Sequence, residues 1–222
     1  MDNILHLETG ILQVNTYILK LNEKQAAVID PGGNADEIIA LLKKHNLDLI
    51  AVVLTHSHFD HIGGADDLLK TFPQCKFYAH KNEAAYLGAD LRQKQCGAFG
   101  GGGFSFYIMQ SLPESVREPD VLFEGGETLF EDSENFAGGF KVLHTPGHSA
   151  GSICLYCAAE KLLVSGDTMF AGSCGRTDLK GGSPEEMKSS LKKLAALPAE
   201  TVVLPGHGGS TTIGDFPFEY FA

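Results

Sequence analysis

One short segment, Thr55–His61 (THSHFDH), constrains the fold and chemistry of this chain more than any other. It places three histidines and one aspartate within six residues, directly after the apolar run Leu49–Leu54. That run has the length and the β-branched content of a buried strand, so the segment is expected where a strand ends and a helix begins. The four polar residues concerned are His56, His58, Asp60 and His61.

The spacing of these residues suits metal binding. On extended backbone alternate side chains point the same way, so His56 and His58 can reach one ion. Asp60 and His61 then fall at the turn and the first helical residues, where they can serve a second ion. Imidazole and carboxylate ligands without thiolate favour zinc, iron or manganese in a catalytic site rather than a closed structural one.

Length and charge narrow the class of protein. A chain of 222 residues with 43% hydrophobic content can bury a substantial core, and we expect a single domain, 1–222, made of two tightly fused halves. The formal net charge of -11 leaves no basic stripe to follow a phosphate backbone, so nucleic acid is not an expected partner. A small-molecule substrate fits this composition better.

Cysteine usage and hydropathy suggest the compartment. Five cysteines are an odd number, which argues against a disulfide framework and for a reducing environment. Cys154 and Cys157 form a C-x-x-C pair that allows a redox or zinc-knuckle interpretation, but they lie in a strand-like run and are expected to be buried thiols. We find no signal peptide pattern and no run of eighteen apolar residues, which predicts a cytoplasmic protein without a membrane partner.

Elsewhere in the chain, predicted buried strands end in aspartate or histidine beside glycine-containing turns. These residues are Asp30, His148, Asp167 and His207. The alternation of strands and helices, interrupted by hairpins, predicts an α/β (α+β) fold of two similar halves with sheets inside and helices outside. Seven strand-end side chains are then expected at one edge: His56, His58, Asp60, His61, His148, Asp167 and His207.

Several local signals complete the prediction. Asn34 with Glu37 resembles a capping box, and the helix that follows is expected to end near His45. Ser183–Pro184 marks the clearest helix start. Gln95–Met109 is the least regular stretch, and its glycine run, Gly100–Gly103, is either a flap with aromatic edges beside the pocket or a plain linker.

Seven ligands divide naturally between two divalent ions. We assign His56, His58 and His148 to one ion, Asp60, His61 and His207 to the other, and Asp167 to both. Two ions about 3.5 to 4 Å apart can hold a hydroxide nucleophile near neutral pH, most simply as zinc, with iron or manganese as alternatives. Asp60 can also orient that hydroxide and carry a proton to the leaving group.

The motifs THSHFDH, TPGHSAGS, SGDTMF, PGHG and IDPGG resemble, in order and over almost the whole chain, the metallo-β-lactamase fold superfamily. GDTMFAGSCGRTDL and VLPGHGGSTTIGDF are similar to the short bacterial members of its glyoxalase II (hydroxyacylglutathione hydrolase) group. The resemblance implies a four-layer αββα sandwich and hydrolysis of the thioester S-D-lactoylglutathione to D-lactate and glutathione. It also implies the same seven ligands, with Asp30 holding a histidine ligand in place.

The chain departs from that group in two ways. Full-length glyoxalase II carries a C-terminal helical domain that supplies basic groups for glutathione, and we expect this protein to be without that domain. Arg176 matches a basic residue that contacts the glutathione carboxylate, but Asp178 stands where the family has an aromatic residue. Arg176 therefore either binds substrate or pairs with Asp178.

Three other functions stay open. A mononuclear iron persulfide dioxygenase shares the CGRTD motif and would use His56, His148 and Asp167. A lactonase, a β-lactamase or a hydrolase of another small ester is the second alternative, although many β-lactamases have a cysteine where this chain has Asp167. A non-catalytic metal scaffold, which would show no turnover, is the third. The sequence carries no signal for an oligomeric state.

Overall fold

The structure is a computed structural model that describes residues 2–100 and 103–221. The chain divides into two compact units, Met1–Leu122 and Phe123–Ala222, which we call the N-terminal and C-terminal units. The structure contains two six-stranded mixed sheets, one for each half of the chain. Each sheet combines antiparallel hairpins with parallel pairs.

The first sheet has the strand order β1-β2-β3-β4-β5-β6. Its strands are β1 Ile4–Thr9, β2 Val14–Lys20, β3 Gln25–Ile29, β4 Asp48–Val53, β5 Lys76–His80 and β6 Val121–Phe123. β1 and β2 pair antiparallel and form a hairpin at the start of the chain. β3, β4 and β5 run parallel, so the ends of β3 and β4 lie at the same edge of the sheet.

The helices of the N-terminal unit are α1 Ala35–Lys44, α2 Phe59–Ile62, α3 Ala65–Thr71, α4 Leu91–Phe99 and α5 Phe104–Ser111, with a 3₁₀ helix at Lys81–Tyr86. Helix α1 begins after Asn34 and ends at His45 as predicted, but the predicted capping box is wrong. Asn34 adopts a left-handed conformation, and its side chain accepts from Gly10 N (2.9 Å) and donates to Glu37 Oε1 (2.6 Å). The β1–β2 turn therefore takes the side-chain oxygen that would have capped the helix.

The stretch Gln95–Met109 is more regular than the sequence predicted. It contains most of α4 and α5, with Gly100 and Gly103 at the facing helix ends. Helix α4 buries Leu91, Gln95 and Phe99, which are spaced four residues apart and so share one face. Of the predicted Gly100–Gly103 flap, residues 101 and 102 lie outside the described residues, so the flap stays a prediction.

The second sheet has the order β12-β11-β10-β9-β8-β7. Its strands are β7 Thr128–Leu129, β8 Phe140–His144, β9 Ile153–Cys157, β10 Leu162–Gly166, β11 Val202–Pro205 and β12 Thr211–Thr212. Helix α6, Pro184–Leu194, begins as predicted, with Ser183 Oγ accepting from Glu186 N at 3.2 Å. Its Met187, Leu191 and Leu194 join the core of this unit.

The C-x-x-C cysteines are buried thiols, as predicted. Cys154 and Cys157 lie in β9, both fully buried, and neither forms a disulfide. Burial raises the pKa of Cys154 to about 11, so its thiol stays protonated at neutral pH. In the part of the chain that is described, we find no helix that is both long and apolar enough to cross a bilayer.

Candidate metal centre

The N-terminal unit brings its four predicted ligands together directly after β4. His56 and His58 lie in the loop, and Asp60 and His61 lie in α2. His56 Nε2 is 3.1 Å from His58 Nδ1. Two nitrogens bound to one zinc ion at about 2.0 to 2.1 Å lie roughly 3 to 3.4 Å apart, so this spacing suits a shared ion.

The other pair of ligands in this unit is also close. His61 Nε2 is 3.8 Å from Asp60 Oδ2, and the rings of His56 and His61 are 4.1 Å apart between centroids. All four side chains are buried. The donor set is imidazole and carboxylate, which fits a divalent ion of a catalytic centre.

Asp30 holds this ligand segment from the end of β3. One carboxylate oxygen accepts from Thr55 N (2.7 Å), and the other accepts from Thr55 Oγ1 (2.6 Å) and His61 Nδ1 (3.0 Å). Thr55 Oγ1 is in turn 3.1 Å from His56 Nδ1. With each Nδ1 donating its proton in this way, Nε2 of His56 and of His61 is the nitrogen left to ligate.

Sequence reasoning named Asp30 but missed Thr55, although Thr55 opens the histidine segment. Asp30 is hydrogen-bonded directly to His61, and it is linked to His56 through the hydroxyl of Thr55. Only the fold reveals this link, because Asp30 and Thr55 are 25 residues apart.

Two glycines behind the ligand segment, Gly63 and Gly64, allow a close backbone approach. A Cβ at Gly63 would overlap the carbonyl oxygen of Gly32, and one at Gly64 would lie 2.9 Å from that of Gly33. The partner is therefore the turn after β3 rather than a ligand. This contact keeps α2 and α3 against the turn that follows Asp30.

In the C-terminal unit, Asp167 lies between two histidines. Its Oδ2 atom is 3.5 Å from His148 Nε2 and 3.7 Å from His207 Nε2. His148 Nδ1 donates to the carbonyl oxygen of Arg176 at 2.7 Å, which leaves Nε2 as the nitrogen available to a metal. A carboxylate next to two imidazoles is the arrangement expected of a ligand that serves two ions.

The side chain of Arg176 forms a two-pronged ion pair with Asp178. Its Nε and Nη2 atoms donate to the two carboxylate oxygens at 2.6 and 2.7 Å. These hydrogen bonds lower the pKa of Asp178 to about 2. Of the two predicted roles, the structure contains the ion pair, and substrate binding by Arg176 stays a prediction.

Two further histidines lie at the ends of secondary-structure elements. His45 ends helix α1. His80 is buried at the end of β5, and its Nδ1 accepts from Asn82 N at 3.2 Å, which caps the 3₁₀ helix that follows.

Comparison with known proteins identifies relatives over nearly the whole chain. Residues 9–207 match the family described as Metallo-beta-lactamase superfamily. The chain is 36% identical to "Probable metallo-hydrolase YqgX" of Bacillus subtilis, covering 93% of this chain and 90% of that protein. It is 32% identical to "Hydroxyacylglutathione hydrolase GloC" of Haemophilus influenzae, covering 96% and 93% respectively.

Solved structures give the same result. BLEG-1, described as a B3 metallo-beta-lactamase, is 36% identical with a TM-score of 0.81, covering 96% of this chain and 95% of that one. TTHA1623, solved in a di-iron-bound form, is 34% identical with a TM-score of 0.78, covering 96% and 99%. ETHE1 from Myxococcus xanthus is 25% identical with a TM-score of 0.70, covering 95% and 80%.

These similarities confirm the predicted fold class. They also show that this chain has relatives named metallo-hydrolases, one of them a hydroxyacylglutathione hydrolase. The fold binds divalent metals, and each unit of this chain carries a cluster of histidine and aspartate side chains that fits them. On its sequence, its fold and its donor set, the chain belongs to the metallo-β-lactamase superfamily.

Proposed function

We propose that the chain is a binuclear metal hydrolase that cleaves a thioester such as S-lactoylglutathione. The observation that carries the proposal is the presence of two ligand sets, one in each unit, each with spacings suited to metal binding; all of these side chains are buried except that of His207, which is half-buried. One ion would be held by His56, His58 and His148 and the other by Asp60, His61 and His207, with Asp167 shared.

When bound, two such ions, zinc in the first instance and iron or manganese as alternatives, would supply a water nucleophile at neutral pH and would polarise the substrate carbonyl. Asp60 then acts as the proton carrier. Its carboxylate takes a proton as the carbon–oxygen bond forms and delivers it to the sulfur as the carbon–sulfur bond breaks. Asp30 and Thr55 keep His56 and His61 in the tautomer that can ligate.

The choice of thioester rests on the motifs shared with short bacterial glyoxalase II proteins and on the relative named hydroxyacylglutathione hydrolase. Arg176 is the candidate cation for a substrate carboxylate. Its side chain and that of Asp178 are both exposed to solvent, so a substrate carboxylate can reach the guanidinium and compete with Asp178 for it.

The decisive experiment combines metal analysis with a substrate panel. We expect two metal ions per chain and hydrolysis of S-lactoylglutathione in preference to a lactone or a β-lactam. His58→Ala should abolish turnover, and Asp60→Ala should reduce it strongly, typically 10²-fold or more for a lost proton carrier, with the fold intact by circular dichroism. Full activity in Asp60→Ala would contradict the role assigned to that carboxylate.

A persulfide dioxygenase is the second candidate, favoured by the Cys174–Asp178 stretch and by the similarity to ETHE1. It predicts one iron per chain and oxygen consumption with glutathione persulfide. Finding both would replace the thioesterase proposal. The cytoplasmic location, the small-molecule partner and the lack of nucleic-acid or membrane partners stay predictions from composition.

A further inference from the structure

Ser57, the residue between the ligands His56 and His58, is held by all three of its polar groups. Its backbone N–H donates to Glu83 Oε2 at 2.9 Å, and its hydroxyl donates to the same oxygen. Its carbonyl oxygen accepts from Gln95 Nε2 at 2.7 Å. Ser57, Glu83 and Gln95 are all fully buried, so water does not compete for these bonds.

The helix that supplies Gln95 also contacts a ligand directly. Phe99 lies one helical turn beyond Gln95 on α4, and its ring meets that of His58 edge to face, with centroids 4.5 Å apart. Helix α4 therefore holds Ser57 with one side chain and His58 with the next on the same face.

The 3₁₀ helix that supplies Glu83 is joined to α4 at the same place. Gln95 Nε2 also donates to the carbonyl oxygen of Tyr86 at 3.1 Å, which uses both of its amide protons. The rings of Tyr86 and Phe99 lie 5.1 Å apart. The two helices and the ligand loop thus form one connected cluster around Ser57.

The polar side chains of this cluster are not what stability alone would favour in a protein core. Glu83 is a buried carboxyl group, and Gln95 Oε1 has no hydrogen-bond partner among residues 2–100 and 103–221. Burying polar groups costs free energy, and well-packed apolar side chains often stabilise such a site as well or better. A positioning role accounts for the polar groups, since only they can hold the backbone of Ser57.

We propose that Glu83 and Gln95 are positioning residues of the metal centre, which set the separation of His56 and His58 by immobilising Ser57. The inference rests on the proposed function, because it takes His56 and His58 to share an ion. Shared ligation needs their nitrogens held to within about 0.5 Å of the required geometry, and the backbone of Ser57 governs that distance. Because Phe99 of α4 packs against His58, metal binding at His58 should also make α4 more rigid.

The test is zinc titration against a competing chelator with Gln95→Leu and Glu83→Gln. We expect one of the two ions to bind about 10- to 100-fold more weakly in both variants, the range found when outer-shell partners of ligands are changed. The second ion should bind as in the wild type. Gln93→Leu, on the exposed face of α4, is the matched control and should keep both affinities.

Hydrogen exchange provides a readout that a purely structural role would not change. Adding zinc should slow amide exchange in α4 in the wild type and in Gln93→Leu, but not in Gln95→Leu. If both variants bind both ions as tightly as the wild type and zinc still protects α4, the positioning role is refuted while the proposed function stands. If the wild-type protein binds fewer than two ions, both the proposed function and the positioning role are refuted. If Gln95→Leu fails to fold, Glu83→Gln decides the question.

Discussion

Replacing Asp30 with asparagine tests how the fold prepares the ligand segment. Asp30 has a φ of 49°, a left-handed conformation that asparagine adopts more readily than most residues, so the backbone should tolerate the change. Asparagine can still accept from Thr55 N. The second carboxylate oxygen of Asp30 accepts hydrogen bonds from Thr55 Oγ1 at 2.6 Å and His61 Nδ1 at 3.0 Å. In asparagine an NH₂ group, itself a donor, would face those two donors instead.

The size of the effect follows from that mismatch. An amide donor opposite His61 Nδ1 favours the tautomer with the proton on Nε2, which cannot ligate a metal in that state. Changes of this kind typically cost 10- to 100-fold in metal affinity. That corresponds to about 1.4 to 2.7 kcal/mol of binding free energy. We expect the loss at the ion served by His61, with a smaller loss at the ion served by His56 through Thr55.

The assay is zinc titration with a competing chelator, paired with urea unfolding of the metal-free protein. Asp66→Asn is the control, because Asp66 is also a buried carboxylate of the N-terminal unit but pairs with Lys70 at 2.6 Å. It should keep wild-type affinity for both ions. If Asp30→Asn also bound both ions with wild-type affinity, the tautomer argument would be refuted.

Two further predictions concern the C-terminal unit. Gly175→Ala should weaken zinc binding and lower the free energy of unfolding, because the new Cβ would overlap the Asp167 carbonyl oxygen and lie 2.8 Å from His148 Nδ1. The expected loss is about 1 to 3 kcal/mol, the usual cost of overpacking. Calorimetry with and without zinc measures both effects, and an unchanged melting profile would contradict the prediction. In an NMR titration the Asp178 carboxyl should show a pKa of about 2, so that the contribution of its ion pair with Arg176 is complete above pH 3.8 and is lost as the pH falls towards 2. Arg176→Ala should return that pKa towards 3.8, and no change would mean that the pair does not persist in solution.

Much of this protein can be predicted from local sequence. The identity of the metal donors is a matter of residue type and spacing, and their place at strand ends follows from apolar runs that stop at polar residues. Ser183 predicted its helix start correctly because a cap depends on the next three residues only.

Tertiary structure decided the partners that hold those donors. Asp30 and His61 are 31 residues apart, Ser57 and Glu83 are 26 apart, and Ser57 and Gln95 are 38 apart. Local patterns do not encode such pairs, because they form only when packing brings distant elements together. The same reason explains why α4 forms where an irregular stretch was predicted, since burial of the face that carries Leu91, Gln95 and Phe99 outweighs weak local helix signals. The sequence by itself therefore identified the family and the candidate metal donors, and packing determined how those side chains are oriented.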